Sequence, residues 1–241
     1  MEIRLNKYLA QRGVASRREA DSMIQEGRIA VNGRVVEDLG HKIDDGRDRV
    51  AVDGRKIKPG RELVYMMLNK PKGFLVTLAD PLGRATIKDL VPSLPDGVNP
   101  VGRLDKDSEG LLLLTNDGEL ANRLTHPRYE IPKIYIVCVE GRVSREEIDK
   151  LEKGVPIEGG RTAPAKVKAL ESRSQSSVLQ VEIHEGRKRE VRQMCESVGH
   201  EVVRLMRVSF AGIRLENLLN GQWRFLKKEE VHRLKRLAGL S

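Results

Sequence analysis

Four consecutive leucines, Leu111 to Leu114, constrain this chain more than any other stretch. An uninterrupted apolar run of that length reads as a short strand buried on both faces, and Asn116-Asp117-Gly118 is turn chemistry that ends it. A buried strand anchors what precedes it. Here that is Gly102-Arg-Leu-Asp-Lys-Asp-Ser-Glu-Gly110, which sets Arg103 and Asp105 on a rigid rim. Asp105 is therefore the first candidate for chemistry. Asp105, Asp107 and Glu109 alternate, so an extended chain puts all three on one side; the plainer alternative is a solvated acidic loop.

The chain has 241 residues, enough for one large or two small domains. No apolar stretch approaches the roughly 20 residues that span a bilayer, and the first residues lack the apolar centre of a signal peptide. Two cysteines, Cys138 and Cys195, make no disulfide framework. A cytoplasmic protein without membrane contact is expected. The net charge of +9 favours a polyanionic partner, most simply nucleic acid. Aromatic residues are only 3% of the chain, so no wide stacking platform is available, and phosphate contacts and shape must carry the affinity.

Apolar spacing predicts a helix over residues 3–11 stopped by Gly13, then a second over Arg17 to Glu26. Ser16 caps the second, with Glu19 completing a capping box. Asn32-Gly33 marks a tight hairpin within Ile29 to Val36, and Arg49 to Asp53 is a further strand. Lys7, Arg12, Arg17, Arg18 and Arg28 form either one phosphate-binding face or an ordinary solvated surface. Pro59-Gly60 punctuates a polar linker.

The domains expected are 1–58, a linker at 59–63, and 64–241. In the last, strands are expected at Val64 to Leu68, Ile134 to Val139, Ala165 to Glu171 and Val178 to Ile183. Helices are expected at Gly118 to Leu124, Ser144 to Glu152, Lys188 to Val198 and Lys228 to Leu237. So few crossover-length helices between strands indicate an α+β fold with a mostly antiparallel sheet, behind a small helix–turn–helix and hairpin domain.

Several chemistries have no motif here. There is no nucleotide-binding glycine loop and no nucleophile elbow, and the five histidines lack metal-ligand spacing. A reaction without metal or cofactor, or no reaction, remains. Besides the Asp105 segment, three stretches stand out: Leu68-Asn-Lys-Pro-Lys-Gly73, Tyr135 inside an apolar strand, and Glu185-Gly-Arg-Lys-Arg-Glu-Val-Arg-Gln-Met194. In a helix from Arg189, Val191 and Met194 face inward and Arg192 flanks them. Tyr135 is equally at home as a core tyrosine with a bonded hydroxyl.

Two resemblances follow from these residues. Arg4-Leu-Asn-Lys-Tyr-Leu-Ala, Ser16-Arg-Arg-Glu-Ala and Gly27-Arg-Ile-Ala-Val-Asn-Gly-Arg-Val resemble the S-four-type RNA-binding domain. That implies structured-RNA binding through Lys7, Arg17, Arg18 and Arg28. Asn69-Lys-Pro-Lys-Gly, Gly102-Arg-Leu-Asp-Lys-Asp-Ser-Glu-Gly-Leu-Leu, Lys133-Ile-Tyr and Glu185-Gly-Arg-Lys-Arg-Glu-Val-Arg resemble, in that order, the RsuA-type pseudouridine synthases. The likeness runs from about residue 3 to about 237 and leans toward the RluB-like members that act on large-subunit ribosomal RNA.

The family likeness implies isomerisation of a flipped-out uridine in RNA to pseudouridine by a cofactor-free monomer, on ribosomal RNA or an assembling ribosomal particle. It gives Asp105 the role of essential aspartate, acting on the anomeric carbon or promoting loss of a sugar proton. Arg192 would be the arginine that pairs with it, and Tyr135 the ring that stacks on uracil. Arg103 would contact RNA or fill the place of the base, Lys70 would support the loop beside the substrate, Val191 would lie against the base, and Arg187 and Arg189 would contact substrate. Ser108 stands where threonine is common and Gln193 where arginine is common. The rivals are a non-catalytic RNA-binding ribosome-assembly factor, and the same enzyme acting on small-subunit RNA. A glycoside hydrolase using Asp105 and Asp107 lacks sugar-stacking aromatics and leaves the basic surface without a purpose.

Overall fold

The computed structural model describes residues 2–57 and 62–240. It divides into two compact units, one of Met1–Val64, Pro95–Val98 and Asn116–Gly118, the other of Tyr65–Leu94, Asn99–Thr115 and Glu119–Ser241. Residues 59–61 of the expected 59–63 linker, with residue 58 before them, lie outside the described residues.

In the first unit, strand β1 (Glu2–Arg4) leads directly into helix α1 (Leu5–Gln11). The single helix expected over 3–11 is thus cut short, because Ile3 and Arg4 pair with Ile43 and Lys42 of β4 (Lys42–Asp44). Helix α2 (Arg17–Gln25) starts at Ser16, whose side chain accepts from Glu19 N while the Glu19 carboxylate accepts from Ser16 N. Strands β2 (Ile29–Val31) and β3 (Arg34–Val35) form the hairpin, with Asn32 and Gly33 both at positive φ (52° and 82°) as a type I′ turn demands. Strand β5 (Val50–Val52) pairs with β2, and β6 (Arg55–Lys56) pairs with β5. Leu5, Leu9, Ala20, Ile24 and Ile29 close the small core.

The second unit is built on one nine-stranded sheet. Its strands are β7 (Tyr65–Lys70), β8 (Asn99–Val101), β9 (Glu109–Thr115), β10 (Lys133–Glu140), β13 (Lys166–Ser172), β14 (Ser176–Ile183), β15 (Val202–Phe210), β16 (Ile213–Arg214) and β17 (Trp223–Phe225). A two-residue pair, β11 (Pro156–Ile157) and β12 (Gly160–Arg161), stands apart. The main order is β13-β14-β10-β15-β9-β7-β17, with β8 on β9 and β16 on β15. Only β15 and β9 run parallel; the other pairings are antiparallel.

Helices α3 (Ile87–Leu90), α4 (Gly118–Thr125), α5 (Arg145–Lys153), α6 (Glu190–Ser197) and α7 (Lys228–Leu237) flank the sheet strands in sequence. The architecture is α+β with a mostly antiparallel sheet, as the strand and helix pattern indicates. The leucine strand β9 is buried at every position, because β7, β8 and β15 border it. Leu111 and Leu113 join Met67, Leu120, Leu124 and Phe210 in the main core.

Candidate active site

Strand β9 and the turn before it position the central carboxylate. Ser108 N donates to Asp105 O (3.1 Å), so residues 105–108 form a tight turn and the chain is not extended. The three acidic side chains therefore part company instead of sharing one side. Glu109 meets Arg204 (2.9 Å). Asp107 meets Arg192 (3.1 Å) and Arg189 (3.3 Å). Asp105 has no hydrogen bond or ion pair to its carboxylate among the described residues, is partly buried, and faces a cavity of about 740 Å³. That volume is in the range of small-molecule and nucleoside sites.

Lys70, at the end of β7, is fully buried. Its ammonium donates to the carbonyls of Pro71, Asp105 and Ser108 at 2.7–3.1 Å, and more weakly to Lys106 at 3.4 Å. Burial lowers its pKa to about 8 against the pull of Asp107, Asp105 and Glu109. An ammonium so engaged holds the turn that carries Asp105, and it does not line the cavity itself.

Arg192 meets the carboxylate of Asp107, where the family likeness implied a pairing with Asp105. Arg192, on α6, is 5% exposed and donates to Val202 O (3.0 Å) and to Asp107 O (3.1 Å), besides its ion pair with the Asp107 carboxylate. The 105–108 turn swings Asp107, not Asp105, toward α6. Burial pushes the Asp107 carboxyl up, but Arg192 and Arg189 outweigh it, and it titrates below the usual carboxylate range.

Asp105, Arg103, Tyr135, Val191, Arg187 and Arg189 all line the one cavity, whereas Lys70 and Arg192 lie behind it. Tyr135, on β10, is 8% exposed and Val191, on α6, 4%. Arg103 is exposed. Arg187 is tied to Glu185 (3.0 Å), and Arg189 caps α6 in the left-handed conformation (φ 53°). On one side the cavity is walled by the loop from Leu75 to Arg84, braced by the Arg84–Asp80 ion pair (2.6 Å). Among the described residues, no three His, Cys, Asp or Glu side chains gather to hold a metal ion.

In the first unit Arg17 and Arg18 are exposed. Arg28 is exposed as well, with its guanidinium on surface acids: Asp53 accepts two hydrogen bonds from it (3.0 and 2.8 Å) and Glu26 a third (3.3 Å). Arg12 is held by Asp45 (2.5 Å) and lies over the Tyr8 ring. Of the five basic residues, Arg17, Arg18 and Arg28 are exposed, and Lys7 and Arg12 are half-buried.

Sequence reasoning missed a group of buried charges at the cavity. Arg207 on β15, Lys133 on β10 and Glu190 on α6 all line it. The signal was present but disguised, since Arg207 occupies an inward position of β15 and interrupts the alternation that would have announced the strand. Glu190 Oε2 accepts from Arg187 N (2.9 Å), and its Oε1 has no hydrogen-bond partner among the described residues. Burial, with the neighbouring Glu185 carboxylate, raises its carboxyl pKa to about 8. Folding thus favours the protonated acid. That contribution is full below about pH 4, the ordinary glutamate value, and is lost as pH climbs through the raised value. Glu190→Gln is expected to melt higher than the parent at pH 9, by about 2–4 °C for each kcal/mol recovered, with the difference vanishing at pH 5. Calorimetry across that range checks it; a constant offset would disprove the titration.

Comparisons with known proteins identify the family. Residues 64–197 match the model of the RNA pseudouridylate synthase family, and residues 3–48 match the S4 domain. The chain belongs to the RNA pseudouridylate synthases: it is an isomerase that converts uridine to pseudouridine and carries an S4 RNA-binding domain. It is 47% identical over 237 residues to the ribosomal large subunit pseudouridine synthase B of Bacillus subtilis (strain 168), covering 98% of this chain and 96% of the relative. It is 44% identical over 241 residues to an uncharacterized RNA pseudouridine synthase of Aquifex aeolicus (strain VF5), covering 100% of this chain and 96% of that one. A crystal structure of a pseudouridylate synthase superposes with a TM-score of 0.70 at 29% identity, covering 96% of this chain and 99% of the other.

Proposed function

We propose that the substrate is one uridine of large-subunit ribosomal RNA, and that Asp105 is the residue that attacks its sugar. The observation that carries the assignment is a carboxylate free of protein partners, on a turn fixed by buried Lys70, facing a cavity that Tyr135 also lines. The likeness to the Bacillus large-subunit enzyme supports the choice of RNA.

The target base leaves its stack at a cost of a few kcal/mol, and Tyr135 and Val191 receive it. Asp105 acts at the anomeric carbon, as a nucleophile or by drawing off a sugar proton. An ionised, compact carboxylate suits either role. Arg192 serves indirectly: by clamping Asp107 it fixes the far end of the turn. Arg103, Arg187 and Arg189 meet the phosphates at the cavity rim. Residues 1–58 form the module that grips structured RNA, in a cytoplasmic protein acting as a monomer.

Pseudouridine mapping of ribosomal RNA from cells with and without the gene tests the assignment. One site in the large-subunit RNA is expected to disappear and to return with the intact gene. A lost site in small-subunit RNA would move the substrate, and no lost site would favour the assembly-factor reading.

The RNA-gripping module carries its own prediction. Replacing both Arg17 and Arg18 with alanine is expected to weaken binding of a ribosomal RNA fragment and to reduce the log–log salt slope by about 1.4–1.8, since each lost phosphate contact removes roughly 0.7–0.9. An unchanged slope in a binding titration would show that these arginines face away from RNA.

A further inference from the structure

Two cations of the cavity have no part in the function described so far. Arg207 is 2% exposed and Lys133 8%, and both line the same cavity as Asp105 and Tyr135. Buried Lys and Arg are rare unless a carboxylate pairs with them. Here neither forms an ion pair among the described residues. Arg207 donates through Nε to Leu111 O (2.8 Å), and its buried Nη2 has no hydrogen-bond partner among the described residues. Lys133 donates only to Ile131 O (3.1 Å). Both lie against one ring, that of Phe210, with Arg207 at 4.8 Å and Lys133 at 5.6 Å from its centroid.

Their place relative to the base site follows from strand register. On the β10–β15 ladder, Tyr135 is paired with Arg207 and Lys133 with Phe210. Cross-strand partners project their side chains to the same face about 5 Å apart. The guanidinium therefore stands beside the tyrosine ring on the face turned to the cavity. The acids nearby do not cancel the charge. Burial raises the Glu190 pKa to about 8, which favours its neutral form, and Glu185 is engaged by Ala163 N (2.7 Å) and Arg187 (3.0 Å). The structure maintains a patch of net positive charge, shielded from water, at the floor of the site.

We propose that Arg207 and Lys133 form an electropositive floor that stabilises the uracil ring as an anion while it is detached from ribose. This rests on the reading of Asp105 given above, and it holds for either role of that residue. In both, the C1′–N1 bond breaks and its electron pair leaves with the ring, so N1, O2 and O4 share one negative charge. The ring turns, C5 forms the bond to C1′, and C5 gives up its proton while N1 gains one. The sum is an isomerisation that needs no oxidant, reductant or co-reactant. Charge that exists only between the two bonds is where a preorganised field in a water-poor site has most effect. A floor of this kind would also keep the free ring from drifting out before it has turned.

The field depends on the Lys133 proton. Burial, then repulsion from Arg207, lowers its pKa to about 8, and Glu190 and Glu185 oppose the shift. These three groups, from β15, α6 and the loop before α6, are the charges that act on it. Turnover is expected to fall as pH rises through about 8, and Lys133→Arg, which stays charged, is expected to move that fall upward.

The test is single-turnover consumption of the target nucleotide in a defined RNA fragment, with uridine or 5-fluorouridine at the site. Fluorine withdraws electrons and makes the ring a better leaving group, so it needs less help from the protein. Lys133→Gln and Arg207→Gln are expected to slow the uridine substrate about 10²–10³-fold, the effect of removing one donor from a charge-stabilising site. RNA affinity should hold within about threefold, and the deficit should shrink at least tenfold on 5-fluorouridine. Equal losses on both substrates would overturn the proposal and leave the cations a merely structural role. Arg207 also holds Leu111, so melting curves accompany that variant, and Lys133→Gln decides the matter if Arg207→Gln does not fold. Were the wild-type chain to leave uridine untouched, the reading of Asp105 would fail first, whereas active wild type with equal losses in the variants sinks only the anionic floor.

Discussion

Asp105→Asn is expected to bind its RNA as tightly as the parent and to form no pseudouridine. The two halves of this expectation come from different parts of the structure. Asp105 contributes its main-chain carbonyl to Lys70 and to Ser108 N, and a substitution preserves both bonds. Among the described residues the carboxylate has no hydrogen bond or ion pair, so the amide breaks none. Phosphate contacts, which supply most of the affinity, lie elsewhere. The chemistry has no substitute: an amide is neither nucleophile nor base, and Asp107, the nearest acid in sequence, is clamped by two arginines. The rate is expected to drop on the order of 10⁴-fold or more, as when other enzymes lose the residue that attacks substrate. Parallel measurement of product formation and filter binding distinguishes the cases. Loss of binding with activity would show a structural aspartate, and residual turnover near the parental rate would move the reaction to another residue.

Gly110→Ala is expected to do the opposite, breaking the fold before the chemistry. Gly110 lies where β9 meets β15 in the sheet's one parallel pairing, opposite Arg207. Its φ is +105°, a region that side chains rarely adopt, and an added Cβ would fall 2.8 Å from Arg207 N and closer still to Arg207 O. Backbone cannot turn aside as a flexible side chain can. The methyl group either separates two central strands or forces Gly110 from its conformation, and changes of this class exceed about 4 kcal/mol. With about 2–4 °C of melting temperature per kcal/mol for a domain of this size, a fall of roughly 8–16 °C is expected by circular dichroism. A variant that melts within about 2 °C of the parent would show that the two strands separate with ease.

Local features of the chain were legible without coordinates. Ser16 with Glu19 forms the capping box its spacing announces, because cap chemistry depends only on residues three apart. Asn32-Gly33 makes the turn it announces, and the leucine run is buried at each position. What could not be read depends on partners distant in sequence. The alternation of Asp105, Asp107 and Glu109 promised a shared face, but Lys70 gathers the carbonyls of that segment into a turn. Arg192 found its partner in Asp107 for the same reason. Strand β15 hides because it buries Arg207 where an apolar residue was due, and that charge, tolerable only in a site that uses it, is the exception that marks the cavity.

The ties that hold Asp105 in place also say when in the life of the chain the site can exist. Lys70 binds carbonyls about forty positions ahead of it, and Arg192 bridges Asp107 to Val202. A chain that has emerged only as far as α6 lacks β15, and with it both the Val202 carbonyl that anchors Arg192 and the guanidinium of Arg207. The site is complete only once β15 has its place between β10 and β9.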